Sequence, residues 1–250
     1  MKRRYMAICL LVCFGVATSA YSAVFNMLSC SPGENSSKEA RFVWHSDSSN
    51  CTFWYAKASQ STLAFNVPGA KIHKPVAFRD SDVDYWKYTA EIKGLRPNTE
   101  YEYWVESGTE KSPRQRFKTA GTGGKWNLLW MSDVHSHPDD AGKMKTVELL
   151  RQNAEERTSS SGGIDMVLFS GDMVKYGARY DNWQQWNGVP AVTNYSFATV
   201  PGNKEYYYRG SSSFYDYYWY LAVKNNPPNG PDTKEQEGCY WFLRDSVLFV

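Results

Sequence analysis

Histidine is scarce in this chain, with four in 250 residues and none after His137. A metal centre built here must therefore draw on carboxylates and amides as well as imidazoles. Cysteine is nearly as sparse. The five cysteines form no CxxC pair and no Cys/His array, which removes a structural zinc site from consideration. An excess of one charge is missing too. The formal charge is +2 and turns slightly negative once Lys2, Arg3 and Arg4 are set aside, so nucleic acid is disfavoured as a bound partner. The one apolar run of note, from about Met6 to Val16, falls short of the ~20 residues that span a bilayer.

What is present is a globular composition, 42% hydrophobic and 16% aromatic, with room for one large domain or two ordinary ones. Residues 1–22 combine three basic residues, the apolar run and small residues at Thr18, Ala20 and Ser22. That pattern reads as a secretory signal peptide cleaved near Ala20 or Ser22, giving a periplasmic or extracellular product with no stable membrane insertion. Cys9 and Cys13 leave with it. Cys30 and Cys51 then either pair, leaving Cys239 odd, or all three remain unpaired buried thiols.

Residues 23–120 read as short strands of period two, which predicts a β-sandwich. Ala40, Phe42 and Trp44 fall on one face and Arg41, Val43 and His45 on the other, with further strands at 51–56 and 86–92. Leu95, Pro97, Thr99, Tyr101, Tyr103 and Val105, followed by a closing strand through Phe117, resemble the last strands of a fibronectin type III or purple acid phosphatase N-terminal domain. The resemblance implies that Tyr101 is a corner tyrosine whose hydroxyl returns to the backbone. His45 and His73 lie in this region and are expected to be structural.

Gly121, Thr122, Gly123 and Gly124 break the pattern and form a linker. Residues 125–250 then change period. A strand at 126–132 is followed by a helix running to about Arg157, capped by acidic Asp139 and Asp140, with Met144, Val147, Leu150 and Ala154 on one face. A strand at 164–170 follows, and strand, helix and strand in that order make a βαβ unit, hence a parallel sheet flanked by helices. Trp183 and Trp186 read as packing. The aromatic run from Tyr206 to Tyr220 reads as a satellite core, with the loop 225–237 able to wall a cleft. Tyr240 to Val250 reads as a hairpin turning at 244–246.

Three apolar strands in this region stop at a potential ligand: WNLLWMSDVHSH at Asp133 and His135, IDMVLFSGD at Asp172, and FATVPGN at Asn203. Ligands collect beyond the carboxyl ends of strands in open α/β sheets. Gly171 and Gly202, just before two of the ends, permit the sharp turns. His137 reads as simply exposed, with support of a metal ligand or a substrate contact as the alternative. In their order and spacing, Asp133, His135, Gly171, Asp172, Gly202, Asn203 and Glu205 resemble the calcineurin-like metallophosphoesterases. With the preceding domain, the chain resembles a bacterial-type relative of the purple acid phosphatases.

The resemblance implies two divalent metal ions, manganese, zinc or iron, with Asp133 and His135 on the first, Asp172 bridging, and Asn203 on the second. It implies a phosphate-ester substrate, hydrolysed as a monoester or a diester. Three positions depart from the family's pattern. Lys204 replaces the usual histidine and is assigned the catalytic contact to the phosphate. Lys175 replaces the metal-binding tyrosine of the purple enzymes, with Tyr176 one step later. The family's later histidine ligands have no counterpart, so residues 125–250 are expected to be the N-terminal part of the phosphoesterase domain. The rival reading is a non-catalytic extracellular binding protein on a degenerate scaffold.

Overall fold

A computed structural model describes residues 23–68, 70–73, 76–78, 81–83, 85–206 and 240–250. Residues 1–22, read above as a signal peptide, Cys239, the aromatic run from residue 207 onward and the loop 225–237 lie outside the described residues. Among the described residues, no helix is long and apolar enough to cross a membrane.

The alternating region folds as strands β1 (Phe25–Pro32), β2 (Ala40–Ser46), β3 (Thr52–Lys57), β4 (Phe65–Pro68) and β5 (Ala70–His73), a short hairpin of β6 (Val76–Phe78) and β7 (Ser81–Val83), then β8 (Trp86–Ile92), β9 (Glu100–Ser107), β10 (Glu110–Lys111) and β11 (Gln115–Lys118). One antiparallel sheet runs β1-β2-β8-β5. The second joins β4, β3 and β9, with β10 and β11 on the far side of β9. The period of two decides what fills the space between them: Ala40, Phe42 and Trp44 meet Phe53, Tyr88, Tyr103 and Phe117 in one core. Phe42 and Phe53 lie 4.4 Å apart between ring centroids, and Trp44 stacks on Tyr88 at 5.1 Å, within the range of favourable aromatic pairs. Cys30 and Cys51 are both buried free thiols and do not pair with each other.

Tyr101 takes the corner role. Its hydroxyl accepts the Arg96 N–H at 3.0 Å, tying the turn before β9 to the strand. Tyr101→Phe removes that acceptor and is expected to cost about 1 kcal/mol, the typical net worth of one such bond. Denaturant unfolding checks this, and an unmoved midpoint would refute the role.

Past the segment 121–124 the elements are β12 (Leu128–Met131), α1 (Ala141–Thr158), β13 (Met166–Ser170), α2 (Tyr180–Asn187), α3 (Pro190–Thr193), β14 (Phe197–Val200), β15 (Phe242–Arg244) and β16 (Val247–Phe249). The first three strands pair in parallel with β13 central, Leu128 opposite Met166 and Val167 opposite Phe197. One face of this sheet carries Met131, Val167, Phe169 and Phe197 against Met144 and Val147 of α1 and Trp183 and Trp186 of α2. On the other face Met166 and Ala198 meet Phe242 of the β15–β16 hairpin. Both tryptophans of α2 are packing residues, as their spacing predicts.

Two details of α1 differ from expectation. Leu150 is 52% exposed, because it lies along a groove beside β12 and not over the sheet. The acidic residues do not cap the helix: Asp140 makes no cap bond to α1, and a 3-10 turn (Pro138–Asp140) precedes it, begun by His137. His137 Nδ1 accepts the Asp139 N–H at 3.2 Å. That turn and the edge-on Tyr176 ring, 5.6 Å away, bury His137, so the expected exposure is corrected.

The sandwich and the α/β layer share polar contacts. His45, fully buried, bonds through Nδ1 to the Tyr180 hydroxyl at 2.9 Å, and the Tyr103 hydroxyl donates to the Thr193 carbonyl at 3.1 Å. His45 is thus structural. His73 falls on β5.

Tyr240 anchors the hairpin to β14, its hydroxyl accepting the Thr199 N–H at 2.8 Å and donating to the Thr199 carbonyl at 2.6 Å. Burial pushes this phenol up to about 12. Since the folded value is raised above the unfolded one near ~10, stability from neutral Tyr240 is complete below pH ~10 and is lost as pH rises toward ~12. Alkaline unfolding of wild type should therefore include a step that Tyr240→Phe lacks, and identical profiles would contradict the anchor.

Candidate metal centre

Strands β12, β13 and β14 are parallel, so their carboxyl ends stand side by side and whatever follows them converges. The convergence continues past the strands. The N–H groups of Asp133, His135 and Ser136 donate to the carbonyls of Gly171, Asp172 and Met173 at 3.2, 2.8 and 2.9 Å. These bonds zip the two post-strand segments together and set Asp133 and His135 beside Asp172.

The donor atoms of Asp133, His135 and Asp172 all lie within 4.8 Å of one another. His135 Nε2 is 3.8 Å from Asp133 Oδ1 and 3.7 Å from Asp172 Oδ2, too long for hydrogen bonds. Nitrogen and oxygen ligands of one divalent ion sit ~2.0–2.2 Å from it, which leaves them about this far from each other. The donor set of one imidazole and two carboxylates also suits zinc, manganese or iron. These residues therefore fit a cation.

The backbone is strained where the donors sit. Asp133, His135 and Asp172 have φ of +55°, +49° and +52°, a left-handed conformation that costs a non-glycine residue ~1–3 kcal/mol and persists where surroundings enforce it. One enforcing group is Glu205. Its carboxylate, fully buried, accepts N–H groups from Asp172 at 2.9 Å, Val174 at 3.2 Å and Gly202 at 2.7 Å, and so staples the turn after β13 to the turn after β14. Burial raises the Glu205 pKa, opposed by those three donors. Glu205 stands in the sequence motif without a role of its own. Its position two residues past Asn203 was the available signal.

The two turns touch so closely that side chains between them are excluded. A Cβ on Gly171 would stand 2.8 Å from the Gly202 nitrogen, and one on Gly202 would overlap the Asp172 carboxylate. Asn203 is exposed in the turn after β14, flanked by Gly202 on Glu205 and by Lys204, whose N–H donates to Asp172 Oδ1 at 3.0 Å. Lys204 thus touches the bridging candidate through its backbone. Tyr176 packs its ring on His137, and Lys175 Nζ lies 5.3 Å from that ring. Beside the cluster runs a groove of about 360 Å³, lined by Trp130, Ser132, Lys143, Thr146 and Leu150 as well as Asp133 and His135.

A β-sandwich followed by a parallel α/β layer with carboxylate and imidazole donors at its strand ends defines a class of metal-dependent hydrolase folds. Residues 127–244 match the calcineurin-like phosphoesterase family and residues 26–119 match the purple acid phosphatase N-terminal domain. Purple acid phosphatase PPD1 from yellow lupin (Lupinus luteus) seeds has a similar fold, with a TM-score of 0.65 at 17% identity over 88% of this chain and 42% of that one. PhoD is similar at a TM-score of 0.50 and 14% identity, over 87% of this chain and 49% of its own. The chain spans less than half the length of either. No curated protein matches it.

Proposed function

We propose that this chain belongs to a secreted phosphoesterase that hydrolyses phosphate monoesters or diesters at a dinuclear divalent centre. The observation that carries the reading is the meeting of Asp133, His135 and Asp172 within 4.8 Å at neighbouring strand ends. Asp133 and His135 would hold one cation and the Asn203 carbonyl would serve the second without adding charge, with the Asp172 carboxylate as the ligand available to both. When bound, such a pair supplies Lewis acidity to a phosphoryl oxygen and acidifies water. The protein's part is placement. The zipped turns fix the spacing of the donors, Glu205 holds the Asp172 and Asn203 turns together, and the Lys204 ammonium draws the phosphate toward them. The groove beside the cluster, where Lys143 stands, receives the ester's organic group. Secretion rests on the basic, apolar and small-residue pattern of residues 1–22.

The test is hydrolysis of a chromogenic phosphomonoester and diester with manganese or zinc. Turnover should need the added metal and disappear with a chelator. Lys204→Met should raise KM for the anionic substrate by ~10-fold or less while metal affinity holds, since one lysine–phosphate contact is a charge-assisted bond of ~1.5–3 kcal/mol partly replaced by water. Metal binding without turnover on either ester would favour the binding-protein reading.

A further inference from the structure

A second cavity lies at the other end of the parallel sheet from the strand-end cluster. It encloses about 540 Å³ where the sandwich, the segment 121–124 and the amino ends of β12 and β13 meet. Lys118 reaches it from the sandwich, Lys125 from the connecting segment, and Arg244 from the hairpin, while Asp165 and Asp245 supply the opposing charge. Cationic side chains outnumber acidic ones, and the acid nearest to Arg244 is already engaged. Asp165 accepts Lys118 Nζ at 3.2 Å and the Asn127 N–H at 2.9 Å.

Arg244 is the unusual member. It is 2% exposed, and its Nε–H has no acceptor. Its closest acidic neighbour is Asp165 at 3.8 Å, beyond hydrogen-bond reach, and the guanidinium carbon lies 5.2 Å over the Trp126 ring. Burial lowers its pKa, opposed by Asp165 and Asp245. A desolvated guanidinium with no hydrogen-bonded partner among the described residues is costly, and such groups are retained where an anion can complete them. A planar fork of N–H donors suits a carboxylate or phosphate oxygen pair. Thr122 and Gly123 of the connecting segment line the same cavity.

We propose that this cavity is an oxyanion-binding site for a small phosphate-like ligand, with Arg244 as the principal ligand-binding residue and Lys125 in support. It is separate from the metal cluster, and because its walls come from both halves of the chain, occupancy fixes the sandwich against the α/β layer. The site does not depend on the phosphoesterase reading.

The experiment is calorimetric titration of inorganic phosphate into the whole chain with EDTA present, so that no metal at the strand ends competes for it. Wild type should bind phosphate saturably at one site. Arg244→Gln should weaken binding at least tenfold, Lys125→Glu severalfold, and Asp172→Asn not at all. Lys125 is exposed, so its variant reports on the site even where Arg244→Gln fails to fold. Absence of saturable binding by wild type overturns the proposal. So does binding that ignores the Lys125 change, and so does binding lost in Asp172→Asn, which would place the phosphate at the strand ends.

Discussion

Asp172→Asn should abolish ester hydrolysis while leaving the fold in place. The amide has the shape of the carboxylate, and its oxygen can still accept the Lys204 N–H that Asp172 Oδ1 accepts at 3.0 Å. The backbone of residue 172 would keep its bond to Glu205. What is lost is the negative charge 3.7 Å from His135 Nε2, on a carboxylate positioned between the first donor pair and the turn carrying Asn203. Changing the outer partners of a metal ligand costs ~10–100-fold in affinity or activity, and removing a bridging charge should exceed that, with kcat falling by ~10³-fold or more. Steady-state kinetics beside a thermal melt make the comparison. An unchanged melt with undiminished turnover would remove Asp172 from the chemistry.

The second large effect belongs to Glu205, and it concerns stability first. Glu205→Ala leaves the N–H groups of Asp172, Val174 and Gly202 without the fully buried carboxylate that accepts them. Each orphaned buried donor costs ~1–3 kcal/mol, so a total of about 3–5 kcal/mol is expected after relaxation. Because the same carboxylate holds the strained turn at Asp172, metal affinity should fall together with the unfolding free energy. Glu205→Gln keeps the volume and one acceptor, and should recover part of both. Equal stability of Glu205→Ala and wild type in denaturant would show that the staple carries no energy.

Much of this arrangement is written in residue pattern. The alternation in 40–46 places Phe42 and Trp44 in the sandwich core without knowledge of what lies opposite, because a period of two admits one face to a core. Tyr101 and Trp183 were legible for similar reasons. The strand ends at Asp133, Asp172 and Asn203 are legible because an apolar run that stops at polar residues, behind a glycine in the last two cases, has little packing purpose. Other features depend on contacts distant in sequence. His137 looked exposed because nothing nearby shows that Tyr176 will cover it. Leu150 has the spacing of a core residue, yet the helix runs beside the edge strand and the side chain meets a groove. Glu205 stands in the motif without a role of its own, and only the approach of two turns 33 residues apart makes it a buried acceptor. Arg244 likewise gains its setting from Trp126 and Asp165, far back in the chain.

The account stands or falls on whether the strand-end cluster binds a cation. Calorimetric titration of manganese or zinc into the whole chain measures this apart from any activity. Wild type is predicted to bind saturably, and Asp133→Asn, His135→Ala and Asp172→Asn are each predicted to lose most of that affinity while melting as wild type does. Binding of equal strength in wild type and in all three variants would contradict the account.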